Sequence, residues 1–464
     1  MNLARKAALA LFCSAFASLA GGAEPPPPMG QPKDFTLPAK ATRTLDNGIR
    51  VTFIEYGEIP KVTITAITRA GNINEGKNTW LADLTAEMLK EGAGSLDSQQ
   101  IAQKAASLGG SVGVAVGADE TTAAMDVLSE KGPEAVALIA DVLRRPTFPE
   151  SEFERVKRNF ERQLVQARAV PQNVANEALL ATLYPDHPYG RLFPSEEQLH
   201  AYTLADVRRF HAENFGAART RIYVAGKFER GAMEAALTRA FGDWARGPEP
   251  LIAPASAVNK ASVKLVDRPG APQSTILMGV PTIDPSHPRY LSVSLTNTLL
   301  GGSFISRITT NIREDKGYAY SPASSIAARY RSAYWSEEAD VNTPDTGAAL
   351  GEILKEVDRL RKEPPSPAEL RGFQNYRSGV FVIQNSTRGA LIGQLAFIDL
   401  HGLPEEYLTR FVERVYAFTP AQISAAAQDF IDPSQMTIVI VGDLAKVRPQ
   451  LEAMPRIKPL LPKK

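Results

Sequence analysis

Two apolar, β-branched-rich runs near the start of the chain, Val51 to Ile54 and Val62 to Thr68, predict strands. Asp46-Asn47-Gly48 just before the first is a hairpin signal, because Asn and Gly tolerate the left-handed backbone that such turns need. The period then lengthens. Trp80 to Lys90 reads as a helix, and Asp97 is placed to cap a second one, Gln99 to Leu108, which Gly109-Gly110 would end. Ser111 to Leu128 reads as two strands joined near Gly117. Helical patterns follow at Glu134 to Arg145, Glu150 to Arg168, Asn173 to Leu183 and Leu204 to Asn214, before a continuous apolar strand, Thr220 to Ala225. Further along, strands are expected near Val263 and Thr275, a helix after His287, strands flanking Tyr320 and Tyr334, and long helices at Gly347 to Lys362 and Pro367 to Gln384. Strands followed by groups of helices, without strict alternation, predict an α+β fold with helices packed on antiparallel-rich sheets.

The pattern occurs twice. Leu84-Thr85-x-x-Met88-Leu89 is echoed 211 residues later by Leu295-Thr296-x-x-Leu299-Leu300. Leu143 with Glu152-Phe153 is echoed 217 later by Leu360 with Glu369-Leu370, and Ile222-Tyr223-Val224-x-Gly226 is echoed 216 later by Ile438-Val439-Ile440-x-Gly442. Three echoes in order predict two similar halves. The expected division is an N-terminal domain over 42–246, a Pro- and Ala-rich linker over 247–261, a C-terminal domain over 262–455 and a tail over 456–464.

The first 23 residues stand apart. Arg5 and Lys6 precede an apolar run, Ala7 to Leu19, and small residues, Ala20-Gly21-Gly22-Ala23. That order is a secretory leader, too short to span a bilayer, with cleavage expected after Ala20 or Ala23. A periplasmic or secreted protein is implied. The only cysteine, Cys13, falls inside the leader, so the mature chain would have neither disulfides nor thiolate ligands. Residues 24–41, rich in proline, read as an extended tether. The whole chain has 52 Lys and Arg against 51 Asp and Glu, a formal charge of +1, and losing Arg5 and Lys6 takes this to −1. Nothing in that balance attracts nucleic acid, and no later apolar run is long enough for a membrane span.

Asp83-Leu84-Thr85-Ala86-Glu87 lies between Glu75-Gly76 and Met88-Leu89-Lys90-Glu91-Gly92. This stretch resembles the active-site helix of the M16 (insulinase and mitochondrial-processing-peptidase) zinc metallopeptidases. Those enzymes carry His-x-x-Glu-His there, with two His one turn apart on zinc and a Glu activating water. The resemblance places Asp83 and Glu87 at the two His positions and Ala86 at the base position. It places Gln163, with Glu161 nearby, where the family has its third, carboxylate ligand. The five histidines, His187, His200, His211, His287 and His401, have no metal-ligand spacing among themselves. Asp83 and Glu87 share a helix face, but two carboxylates fall short of the six or more oxygens a hard cation takes. No metal is therefore expected on this chain. His187, in Tyr184-x-x-His187-Pro188-Tyr189-Gly190, resembles a recurrent M16 segment and is expected to be structural.

Gly301-Gly302-Ser303-Phe304-Ile305-Ser306-Arg307 leads into Ile312-Arg313-Glu314-Asp315-Lys316-Gly317-Tyr318-Ala319-Tyr320. This resembles the diagnostic C-terminal M16 motif, in which an Arg and a Tyr seven residues apart reach toward zinc. The pair is Arg313 and Tyr320. A guanidinium and a phenol are suited to hold a substrate backbone and the oxyanion formed when water attacks its carbonyl. An Arg ending a helix and a Tyr on the next strand would be fixed by rigid elements.

The resemblance covers about residues 42 to 450 and implies two sheet-and-helix lobes forming a clamshell around a peptide. With zinc positions degenerate and the Arg/Tyr pair kept, it implies a non-catalytic subunit. Zinc is then expected in a partner, a zinc-bearing M16 homologue, and the Arg/Tyr pair acts on that partner's peptide substrate. Two alternatives stay open: a peptide-binding or assembly protein of the same fold with no role in proteolysis, and a metallopeptidase with an unconventional site at Asp83, Glu87 and Glu161.

Overall fold

The computed structural model describes residues 35–463. The expected leader, its cleavage site and the start of the tether lie outside them. Two mixed sheets form the framework. The first contains β1 (Lys40–Thr44), β2 (Arg50–Glu55), β3 (Lys61–Thr68), β6 (Gly113–Val116), β7 (Thr121–Leu128) and β8 (Thr220–Gly226). Their order is β1-β2-β8-β3-β7-β6. A small hairpin, β4 (Gly92–Ala93) and β5 (Leu96–Asp97), stands beside it. The second sheet contains β9 (Ser262–Asp267), β10 (Gln273–Thr282), β11 (Ala323–Arg329), β12 (Ser332–Asn342) and β13 (Thr437–Gly442), in the order β11-β12-β10-β13-β9.

The second sheet repeats five strands of the first. In each, one parallel pair (β2 with β8, β9 with β13) adjoins an antiparallel run. β8 pairs antiparallel with β3 as β13 does with β10, and β3 with β7 as β10 does with β12. Starting residues 50 and 262, 61 and 273, and 220 and 437 give offsets of 212, 212 and 217. The drift accumulates in loops, where inserted residues disturb no ladder. β1 is the one strand of the first sheet without a counterpart.

Each sheet carries its own layer of helices on one face. Leu84, Met88, Val136, Ile139, Val207 and Phe241 join Val51, Ile64 and Val224 in the first core. The second core repeats this with Leu295, Leu299, Leu350, Ile353 and Ile423 against Ile276 and Ile440. The opposite faces are covered by an exchange. The helix Pro171–Leu183 of the first half lies on β10 and β13 of the second. Its Ala175, Leu179 and Leu183 pack with Leu277, Tyr334, Val439 and Val441. The helix Arg388–His401 of the second half lies on β3 and β8 of the first, with Ile392, Leu395 and Ile398 against Ile54, Ile67, Tyr223 and Ala225. Strands covered on both faces have no polar side to offer. That is why Ile222-Tyr223-Val224-Ala225 and Ile438-Val439-Ile440-Val441 read as unbroken apolar runs, and why every residue of both is buried.

Polar contacts fix the exchange. Asp399 on the Arg388–His401 helix accepts hydrogen bonds from Arg50 and Tyr223 and faces Arg221. Gly279 on β10 has no side chain because Leu179 fills the space: a carbon added there would lie 2.8 Å from its Cδ1.

Several expectations change. Residues 35–39 of the expected tether are docked, with the Phe35 ring edge-on to Phe381 at 5.3 Å and Leu37 against the second core. β1 begins at Lys40, inside the expected tether, because its backbone pairs with β2 through the Asn47-Gly48 hairpin. The expected tail is anchored by Ile457, 1% exposed, with Leu460 and Leu461 against the same core. The linker has no regular structure, yet Ala253, Ala255 and Ala257 pack beside the Pro171–Leu183 helix and Val258 N donates to Leu183 O at 2.7 Å. No helix among the described residues is long and apolar enough to cross a membrane.

Candidate functional site

The helix Leu81–Leu89 buries seven of its nine residues; only Asp83 and Glu87 of the nine reach the surface layer. Its start is held from outside. Trp80, in left-handed conformation at φ 68°, has no capping side chain of its own. The Glu75 carboxyl serves instead, accepting from Ala82 N at 2.8 Å and Trp80 N at 3.2 Å. Asn72 Nδ2 bridges this carboxyl (3.1 Å) to Asp83 Oδ2 (2.8 Å). Burial, and then the nearby Asp83, push Glu75 up to about 8. Burial raises Asp83 as well, against the Asn72 hydrogen bond.

Asp83 and Glu87 therefore share a helix face but not a target. Asp83 turns back to Asn72, while Glu87 pairs with Lys90 at 2.7 Å. Ala86, at the base position, is 4% exposed. Gln163 is exposed on the helix Glu150–Ala169, with no hydrogen bond to Asp83 or Glu87 among the described residues. Glu161 is taken by His200 at 3.0 Å. These donors do not fit zinc: there is no imidazole, one carboxyl is tied to an amide, the other to an ammonium. Among the described residues no three His, Cys, Asp or Glu gather as a metal-binding group. His187 has a structural place, as expected: its Nδ1 accepts from Tyr189 N at 3.2 Å, its Nε2 meets Ala253 O at 3.1 Å, and its ring lies 4.3 Å from that of Tyr189.

The Arg313 segment is built differently. After the helix Tyr290–Leu300, the chain turns at Gly301, whose missing side chain makes room for Glu337 Oε2 and Ser324 Oγ. Ser306 caps a short helical turn, Arg307–Thr309, that continues as a π-helix, Thr310–Asp315. Such wide turns recur at functional sites because they re-aim a side chain without breaking the helix. Ile308 and Ile312 are fully buried beneath it. Arg307 clamps the turn to the helix Pro367–Gln384 through two bonds to Glu369, 2.7 and 2.8 Å. Asn311 Nδ2 ties it to Glu352 (2.9 Å) and Glu356 (2.8 Å).

Arg313 projects outward from this pinned turn. Its guanidinium lies 3.9 Å from the Phe304 ring centroid and 5.5 Å from that of Tyr320. Among the described residues its one ion-pair partner is Glu314, at 3.3 Å from Nε. Tyr320 is 81% exposed, and its hydroxyl makes no hydrogen bond among the described residues. It lies on a bend, not on a strand as expected. The bridge Ala319 to Val341 precedes it, and β11 begins only at Ala323. Thus Arg313 and Tyr320 are together as read from the sequence, while Asp83, Glu87 and Gln163 are not assembled. No hydrogen bond or ion pair among the described residues joins the two groups.

Sequence reasoning missed Glu75, Asn72, Phe304 and Glu337. Glu337 on β12 is fully buried, its carboxyl oxygens have no hydrogen-bond partner among the described residues, and burial raises it well above the usual carboxylate range. The pair Glu337-Glu338 in a strand signals that one of them must face inward. Glu75 and Phe304 were marked only as surroundings of the two motifs, and nothing local marked Asn72.

Comparison with known proteins fits this geometry. Residues 51–193 match the profile described as insulinase (peptidase family M16), and residues 201–376 that described as the peptidase M16 inactive domain. A crystal structure of the peptidase M16 inactive domain from Pseudomonas fluorescens superposes with a TM-score of 0.82 at 26% identity, covering 87% of this chain and 98% of that one. A protease from Helicobacter pylori has the same fold, with a TM-score of 0.81 at 17% identity over 88% of this chain and all of that one. The chain is 24% identical to an uncharacterized zinc protease of Bacillus subtilis, YmxG, over 73% of its own length and 83% of that protein's. It is 25% identical to an uncharacterized zinc protease of Mycobacterium leprae over 61% of its own length, spanning only 65% of that relative. Fold, motifs and relatives agree, and the chain belongs to the M16 peptidase family.

Proposed function

We propose that this chain is a non-catalytic subunit of an exported M16 zinc peptidase, and that it supplies Arg313 and Tyr320 to the reaction centre of a zinc-bearing partner subunit. The observation that carries the reading is the contrast between the halves. In the first, the metal-facing positions are engaged by Asn72 and Lys90 and the base position is a buried alanine. In the second, a guanidinium paired only with the exposed Glu314 and a phenol whose hydroxyl makes no hydrogen bond among the described residues lie 5.5 Å apart, the first on a pinned turn and the second on the bend after it. Those donors suit a substrate backbone and a developing oxyanion, but a nucleophilic water must come from elsewhere. Zinc belongs to the partner in this reading; the role of this chain is to bind and orient an extended peptide.

The test is reconstitution with a zinc-bearing M16 protein from the same source. The mixture should cleave peptides that neither chain cleaves alone. Arg313→Ala should lower that turnover on the order of 10²- to 10³-fold, with the melting temperature unchanged. Cleavage by this chain alone, or full activity with Arg313→Ala, would defeat the proposal.

A further inference from the structure

Phe304 has no packing reason to be where it is. It is 64% exposed, and its ring meets no other aromatic ring among the described residues. What it meets is Arg313. The 3.9 Å separation is shorter than any other guanidinium–ring contact among the described residues; all the others lie between 4.4 and 5.9 Å. Tyr320 approaches the same guanidinium at 5.5 Å. A cation over an aromatic face is attracted to the ring's quadrupole, and a planar guanidinium stacks there while keeping its in-plane N–H groups free to donate.

From this geometry we infer that Phe304 is the positioning residue for Arg313. Its ring restrains the guanidinium, leaves the terminal nitrogens without a hydrogen-bond partner among the described residues, and partly shields the charge from water, the side chain being 23% exposed, which strengthens each hydrogen bond it donates to a peptide carbonyl. The backbone supports this division of labour. Arg307–Glu369 and Asn311–Glu356 pin the turn from below, but neither touches the Arg313 side chain. Glu314 meets only Nε, at 3.3 Å, and is itself exposed, so without Phe304 a long, rotamer-rich arginine would sample several directions and the preorganisation of the site would be lost. The inference rests on the proposed role of Arg313 and adds the residue that sets its direction.

The experiment uses the full chain reconstituted with its zinc-bearing partner and a fluorogenic peptide. Phe304→Ala should lower kcat roughly tenfold, the size expected for one partly desolvated cation–π contact, with KM within about twofold. Phe304→Tyr and Phe304→Trp keep a π-face and should restore turnover. Phe304→Leu keeps bulk without a π-face and should not, which separates stacking from mere occupancy. In the isolated chain, the NMR signal of the Arg313 Nε–H should carry a ring-current shift that vanishes in Phe304→Ala. Wild-type kcat in Phe304→Ala alongside a crippled Arg313→Ala would overturn the positioning role and leave the subunit reading intact. Rescue by Phe304→Leu, or an Arg313 signal insensitive to Phe304, would overturn it as well. If Arg313→Ala itself left turnover unchanged, the subunit reading would fall first and this inference with it.

Discussion

Gln172 and Arg388 occupy matching places in the two halves, and each reaches across to an aspartate of the opposite sheet. Gln172 Nε2 donates to Asp340 Oδ2 at 2.5 Å, and Thr275 donates to the same carboxylate. Arg388 Nη2 donates to Asp126 Oδ1 at 2.9 Å, and Thr63 donates to that carboxylate at 2.7 Å. Each donor opens the helix that its half gives to the other. The repeat seen in the sequence is therefore also a repeat of the bonds that join the halves.

Arg388→Ala leaves Asp126 with Lys61 and Thr63, and because this carboxylate is partly open to solvent the loss should be about 1 kcal/mol. Gln172→Ala should cost a similar amount. The clusters share no residue, so the double variant should show the sum in urea unfolding. A strongly non-additive result would mean that the two exchanged helices dock as one unit.

Arg307 is the deeper clamp, its side chain only 8% exposed and paired bidentately with Glu369. Arg307→Ala removes a partly buried charge partner and should destabilise by about 2 to 3 kcal/mol. It should also raise amide exchange across residues 303–316 more than in either sheet. Uniform loss of protection would contradict the view that this turn is locally pinned.

Stability should fall as pH rises from about 6.5 to 8; below that window His187, His211 and His401, lowered by burial, contribute the opposite slope. Burial raises Glu75 to about 8 and Glu120 to about 7, and it holds Glu337 well above the usual carboxylate range. A carboxyl raised in the folded state binds its proton there more tightly than in the unfolded chain, whose glutamates titrate near 4.5. Unfolding then releases protons, so stability declines with pH across that interval. Asp126 and Glu369 are shifted downward, chiefly by hydrogen bonds that oppose any burial, and they contribute stability that is lost only as pH falls below about 4. Urea midpoints should accordingly decline from about pH 6.5 to 8, and Glu337→Gln should flatten that decline. A midpoint that climbs from about pH 6.5 to 8 would show that these carboxyls are not held neutral.

Removing metal should change nothing in this chain. Exhaustive chelation should shift its melting temperature by less than about 1 °C, since no ligand-stabilised state is lost. A drop of several degrees, restored by zinc or calcium, would favour the unconventional metal site at Asp83 and Glu87.

Local chemistry was legible wherever a boundary is set locally. The helix Leu204–Asn214 was read to the residue because Thr203 and Asp206 form a capping box at its start. The helix Pro367–Gln384 was equally plain, with Ser366 capping and a proline in its first turn. The Arg313–Tyr320 pair was legible through the resemblance of its motif to that of the M16 family. The helix Arg388–His401 was not read at all. Its Ile392, Leu395 and Ile398 face another half's sheet, and glycines at 389 and 393 weaken the local helical signal.

From the order of residues alone came the two halves and most of their sheets and helices, since each depends on periodicity, capping or spacing within one short stretch; the degenerate zinc positions and the Arg/Tyr pair came from the resemblance of two short motifs to those of the M16 family. Tertiary structure decided which helix covers which sheet, that Asp83 turns to Asn72 and Glu75, that Glu337 is sealed beneath the Gly301 turn, and that Phe304 stacks on Arg313. Those outcomes depend on burial and on partners distant in the chain, and their energies exist only once the sheets and helices have come together.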